Sequence, residues 1–282
     1  MPENERPLEG GIVTDFQDRM SYGGYLDLDR LLTAQHPLSA PEHHDELLFI
    51  IQHQTTELWL KLVRHELVSA RALLAADDLR TALKRIARIK HIQEVMTQQW
   101  SVLATLTPSE YGQFREDLGN SSGFQSAQYR VVEFILGNKN RRMLSVFDAE
   151  PDSREALAAE LATPSLYDEF LRLLARRGFD VPAHILERDI TEAYSLNEDL
   201  VPVFRRIYGD PATYWDLYEA CEELVDIEDN FQLWRFRHMR TVMRTIGFST
   251  GTGGSSGADF LQRALSLTFF PELYRVRTEL GA

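Results

Sequence analysis

YWDLYEACEELVDIEDNFQLWRFRHMRTVMRTI, residues 214–246, reads as one unbroken helix, and it sets the fold class of the chain. Stepping three and four residues along one face gives Ile227, Phe231, Trp234, His238, Thr241 and Val242, the period of a helix with a buried stripe. Six acidic residues (Glu219, Glu222, Glu223, Asp226, Glu228, Asp229) precede four arginines (Arg235, Arg237, Arg240, Arg244). That order complements the helix dipole, and Gly247 supplies a stop.

Residues 41–76 form a second long amphipathic pattern, with Leu47, Leu48, Ile51, Leu58, Leu62 and Leu67 on its apolar side. Residues 79–105 fit another helix, with an interruption expected near 87–90. Thr107-Pro108-Ser109-Glu110 is a helix start: Thr107 caps, Pro108 suits the first turn and Glu110 completes a capping box. That helix is expected to run to Gly119. A loop at Asn120–Gly123 follows, and helix resumes from Phe124 to Leu136. Residues 143–211 hold shorter pieces (153–161, 166–177, 190–196) divided by Pro164, Pro182 and Pro202. No stretch sustains period-two alternation. The expectation is therefore an all-α bundle of long helices. Its body is residues 21–142 and 212–282, with a flexible arm at 1–20 and a small helical insertion at 143–211.

Composition narrows the function classes. Of 282 residues, 44% are hydrophobic and 26% charged, which is ordinary for a globular protein. A net charge of −13 repels phosphate backbones and argues against nucleic acid as a partner. Residues 1–11 lack the basic start and apolar core of a signal peptide, and charges interrupt every apolar stretch, so no membrane span is expected. One cysteine, Cys221, excludes an internal disulfide and suits a reducing cytoplasm; it also excludes a Cys-x-x-Cys-His haem attachment. The expected location is cytoplasmic.

Two histidines sit on apolar helix faces. His238 lies among aromatic and aliphatic neighbours, where an imidazole either donates to a nearby oxygen or binds a metal. A hydrogen-bonded core histidine is the competing reading. The crowd of arginines on the same two turns would suit a carboxylate-bearing ligand, or simply be a solvated helix end. His53, in Phe49-Ile50-Ile51-Gln52-His53-Gln54, is the second; two such histidines on separate long helices can flank one flat cofactor. A di-iron carboxylate site fails on spacing, because no histidine has an acidic residue three positions before it. No His-Glu-x-x-His occurs either. The glycine-rich run Gly247–Gly257 is neither a P-loop nor a dinucleotide fingerprint, and serves as a flexible connection or as a lid. Tyr111 and Arg115 share one helical face, and an arginine fork is the usual grip on an amino-acid carboxylate.

The pieces come in a recognisable order: Ser21-Tyr22-Gly23-Gly24-Tyr25-Leu26, His44-Asp45-Glu46-Leu47-Leu48-Phe49-Ile50-Ile51-Gln52-His53-Gln54 and Leu106-Thr107-Pro108-Ser109-Glu110-Tyr111. Ser121-Ser122-Gly123-Phe124-Gln125-Ser126, Leu136-Gly137-Asn138-Lys139-Asn140, the 232–242 stretch around His238 and Gly251–Gly257 follow. This set resembles the bacterial tryptophan 2,3-dioxygenase family over nearly the whole chain, thinning across 143–211. The resemblance implies an all-helical homotetramer whose long helices enclose one haem b per subunit. It implies an oxidoreductase that adds O2 across the indole C2–C3 bond of L-tryptophan to give N-formylkynurenine. His238 would be the axial iron ligand, and His53 would accept a hydrogen bond from the indole N–H. Arg115, assisted by Tyr111, would pair with the substrate carboxylate, and Thr252 would contact its ammonium and carboxylate end. Phe49 would pack on the indole, Ser122 and Gly123 would lie near the distal oxygen site, and Tyr22, Tyr25 and Leu26 would reach into a neighbouring subunit's pocket. An indole N–H is a poor acid, so His53 is expected to orient substrate rather than deprotonate it.

Overall fold

The computed structural model describes residue 4 and residues 6–280; the remaining positions of the expected 1–20 arm lie outside the described residues. Among the described residues every regular element is helical. Two short turns, α1 (Tyr22–Tyr25) and α2 (Leu28–Leu31), precede α3 (His44–Ala75). Next come α4 (Leu79–Gln98), α5 (Trp100–Leu103), α6 (Pro108–Phe114) and α7 (Ala127–Leu136). The chain continues through α8 (Pro151–Leu161), α9 (Leu166–Arg176), α10 (Ala183–Leu186) and α11 (Val201–Gly209). It closes with α12 (Trp215–Ile246), α13 (Ala258–Ala264) and α14 (Pro271–Arg277). No described helix is long and apolar enough to cross a membrane.

The two longest helices are α3 and α12, at 32 residues each. Their neighbour α4 packs against both, and the short α5 and α6 also touch both. That arrangement makes α4–α6 a spacer between the helices that carry His53 and His238. Polar ties reinforce the apolar seam: Lys90 Nζ donates to Glu223 and Asp226, each at 2.8 Å, and Gln93 Nε2 donates to the Ile227 carbonyl at 3.2 Å. Leu60, Val63, Leu67, Ile86, Ile89, Leu224 and Ile227 are fully buried along it.

Three local expectations change. The break in the second helix falls at Gln99, between α4 and α5, and residues 87–90 are regular helix. The helix begun at Thr107 ends at Phe114, although its capping box is present as expected, with Thr107 and Glu110 each accepting from the other's backbone N–H. Residues 190–196 are not helical: the Asp189 carboxylate accepts from the Thr191 N–H at 2.8 Å and turns the chain there.

Residues 143–211 contribute Leu166, Tyr167, Phe170, Leu173, Leu174 and Phe204 to the same apolar core as α3 and α12. Polar clasps fasten them. Arg71 of α3 pairs with Glu160, and Arg176 donates to the Leu74 carbonyl at 2.6 Å. Glu272, wholly buried on α14, accepts from the Tyr167 and Tyr194 hydroxyls and the Asn197 N–H. Glu228 on α12 similarly accepts from the Phe269 and Phe270 N–H groups, fixing the approach to α14. A carboxylate this deep is tolerated because its oxygens are satisfied by donors.

Candidate functional site

His53 sits one turn after Phe49 on α3, and its Nδ1 lies 2.7 Å from the Phe49 carbonyl. A carbonyl only accepts, so Nδ1 carries the proton and Nε2 keeps a lone pair. Burial holds the imidazole below its usual pKa of 6.5, against the pull of the Phe49 carbonyl and Glu57 in the other direction. At neutral pH the ring is therefore uncharged and presents an acceptor. Phe49 packs on it at 4.2 Å between ring centroids. Two aromatic residues of α6, Tyr111 and Phe114, close around Phe49 at 5.9 and 5.7 Å. Burial also raises the Tyr111 hydroxyl above its ordinary range, with Arg115 opposing, so it stays a neutral donor.

His238 lies on α12 with Trp100 of α5 stacked face to face on it, centroids 4.7 Å apart and planes 8° from parallel. Trp234, one turn earlier, packs against both rings at 5.7 Å. Burial pushes the His238 imidazole down to about 4, with His53 adding to the shift, so it is neutral and its lone pair is free at physiological pH. It makes no hydrogen bond among the described residues. The indole Nε1 atoms of Trp100 and Trp234 are buried without partners among the described residues. Two buried indole N–H groups left open beside this imidazole fit a site that water or a ligand completes.

The arginines of α12 divide. Arg235 is buried and belongs to the core: it donates to Glu133 at 2.8 Å, the Tyr129 hydroxyl at 3.0 Å and the Ala264 carbonyl at 3.0 Å. Its guanidinium also lies over Phe231 and Phe269. The suggestion that it serves a carboxylate-bearing ligand is thereby corrected; its carboxylate is Glu133. Arg237, Arg240 and Arg244 are exposed.

The glycine-rich run is folded down. Gly251 N–H donates to Ser255 and Gly254 N–H to Gly251, each at 3.0 Å, closing a compact loop. Thr252 donates its hydroxyl to the Ser121 carbonyl, and Arg115 Nη2 reaches the Thr250 carbonyl at 2.6 Å. The contact is so close that a Cβ on Gly253 would fall 2.7 Å from Ser122 Cβ, and one on Gly257, whose φ is +60°, 2.5 Å from the Ser249 carbonyl oxygen. Ser122 caps the short turn Gly123–Gln125. Arg115, Thr252, Ser122 and Gly123 are thus brought to one place, where the loop meets the end of α6. Phe49, His53 and Tyr111 form a second group joined to it through α6.

Tyr22, Tyr25 and Leu26 stand apart from both groups. They lie on α1 and its edge and are exposed, the tyrosines by 76% and 77%. Within one chain they complete nothing. Trp100, Trp234, Phe114 and Ser121 carry no role in the sequence reading, yet they surround the site. Trp100 carries no distinguishing signal in its own stretch; only the packing of α5 on α12 reveals it.

A family model described as tryptophan 2,3-dioxygenase matches residues 9–206 and 200–280. The chain is 67% identical over 279 residues to a protein of Arthrobacter sp. (strain FB24), covering 99% of this chain and 98% of that one. It is 69% identical over 280 residues to one of Kineococcus radiotolerans, with coverage of 99% and 98%. A protein of Serratia proteamaculans is 61% identical over 279 residues, covering 99% and 100%. All three are called tryptophan 2,3-dioxygenase.

Proposed function

This chain belongs to the tryptophan 2,3-dioxygenase family, and from that we propose that it works with one haem b per subunit held by His238. The reaction is the oxidative opening of L-tryptophan between indole C2 and C3, with both atoms of O2 incorporated, giving N-formylkynurenine at the head of the kynurenine pathway. The observation that carries the haem reading is His238 itself. It is neutral, packed flat against Trp100, and without a hydrogen-bond partner among the described residues. A neutral imidazole whose plane is clamped is the donor that haem iron takes, and the unpartnered indole N–H groups of Trp100 and Trp234 can meet acceptors such as waters or haem carboxylates.

When bound, haem supplies the redox centre that activates O2; the chain supplies position and electrostatics. His53 offers Nε2 to the indole N–H and so fixes the ring's orientation. Phe49 packs on the indole, and Tyr111 and Phe114 keep water from that face. Arg115 spends one donor on the Thr250 carbonyl and has four N–H groups left for the substrate carboxylate. Thr252 contacts the ammonium and carboxylate end, so that the loop's contacts and the substrate's are shared. Ser122 and Gly123 lie by the distal oxygen position. Tyr22, Tyr25 and Leu26 serve a neighbouring subunit of a homotetramer, which accounts for two tyrosine side chains left about three-quarters exposed in a single chain. The protein is placed in the cytoplasm, in keeping with its single buried thiol.

The test is His238→Ala, purified beside the parent. The variant is expected to lose the haem absorption band, or to regain it only with added imidazole, and to form no N-formylkynurenine. A variant that keeps a full haem band and parental turnover assigns the iron to another residue.

A further inference from the structure

The joint between α4 and α5 is a single residue, Gln99, and it connects in two directions. Its Nε2 donates to Thr56 Oγ1 at 2.7 Å, and the Thr56 hydroxyl donates in turn to the Gln52 carbonyl at 2.8 Å. That turn of α3, residues 52–56, carries His53. The residue after Gln99 is Trp100, whose ring lies flat on His238 of α12. The Thr56 hydroxyl thus spends its one donor on α3 and accepts from Gln99, which favours the rotamer that keeps the bond to Gln99.

We propose that Gln99 and Thr56 are positioning residues that set the separation and tilt of the two histidine helices across the site. The Gln99 amide pins α5 to α3 while Trp100 pins α5 to the His238 ring. A displacement of α5 therefore moves the plate behind His238 and the turn beneath His53 together. An α5 held only by apolar contacts has no such registration, because apolar packing tolerates sliding that a directional hydrogen bond does not. The inference rests on the assignment of His238 as the iron ligand and His53 as the residue facing substrate.

The test uses three variants of the holoenzyme: Thr56→Val, which keeps the shape and removes the hydroxyl; Thr56→Ser, which restores it; and Gln99→Leu, which removes the other partner. The readouts are the iron–histidine stretching band of the ferrous protein by resonance Raman, the rate of haem transfer to excess apomyoglobin, and the split of kcat and KM for tryptophan. Thr56→Val and Gln99→Leu are expected to shift or broaden the stretching band, speed haem transfer about fivefold, as loss of one net hydrogen bond predicts, and raise KM more than they lower kcat. Thr56→Ser is expected to keep parental values in all three. Thr56→Val and Gln99→Leu proteins with a parental band and parental haem transfer overturn the proposal, even if their melting temperature falls, since that outcome is ordinary destabilisation. Should Thr56→Val not fold, Gln99→Leu decides alone. A parent with no iron–histidine band would instead overturn the ligand assignment beneath it.

Discussion

His53 gives its Nδ1 proton to the Phe49 carbonyl, and this one bond decides what the residue can do. The free Nε2 accepts; it does not begin as an acid. Substituting His53→Ala removes a hydrogen bond to the indole and should raise KM about tenfold while haem stays bound and turnover persists, a loss of ~1.4 kcal/mol. Steady-state kinetics at saturating tryptophan check it: a haem-loaded variant with no turnover at any concentration shows that His53 transfers a proton. The pH dependence follows from the same burial. Because the folded imidazole is held below 6.5, it takes its proton only at more acid pH than an ordinary histidine, and protonation abolishes the acceptor. The parent should therefore keep its affinity for tryptophan from neutral pH down to about 6.5 and lose it further down, and His53→Ala should lack that acid limb. An unchanged limb in the variant assigns it to another group. The candidacy of both histidines was legible from helical spacing, but spacing could not separate a ligand from a core histidine. What supports the proposed ligand role is Trp100 against His238, a contact between distant segments. Arg235 shows the reverse failure: periodicity groups it with its arginine neighbours, and only the fold pairs it with Glu133.

At the scale of elements, α3, α6 and α12 were legible because each carries its own local signal: apolar period, capping box, ordered charge. The break at Gln99 and the turn at Asp189 were not: the first shows only in the contacts of α5 with α3 and α12, and the second in the Asp189 carboxylate accepting from the Thr191 N–H and hydroxyl. Arg235→Met leaves Glu133 buried with one partner fewer and should cost ~3–5 kcal/mol in denaturant unfolding; a change below ~1 kcal/mol would mean the α7–α12 tie contributes little. Gly253→Ala puts a methyl group against Ser122 and should push the loop off its seat, raising KM for tryptophan about tenfold, or ~1.4 kcal/mol, with the haem spectrum unaltered. A Gly253→Ala protein with parental KM would show that the loop keeps its seat on Ser122 despite the added methyl group.

For the molecule as a whole, the helical class was plain from the absence of strand-like alternation, while a role for Tyr22, Tyr25 and Leu26 was implied by resemblance alone and not by spacing or composition. The structure shows why: Leu8, Ile12, Phe16, Met20, Tyr22 and Tyr25 stay exposed in a single chain, with no core of their own. Removing residues 1–26 should leave a folded, haem-containing protein with a raised KM for tryptophan and, by light scattering, fewer subunits per particle than the parent. A truncated protein with parental KM and the parental number of subunits would remove the arm from the neighbouring pocket. Whether His238 and His53 flank a haem beside which tryptophan binds is decided by the visible spectrum of the purified ferrous protein, recorded without oxygen before and after L-tryptophan, and then in air. A haem band that shifts on adding tryptophan, followed by N-formylkynurenine when air enters, is the result expected. The absence of a haem band, or a band that tryptophan leaves unmoved with no product in air, would contradict that arrangement.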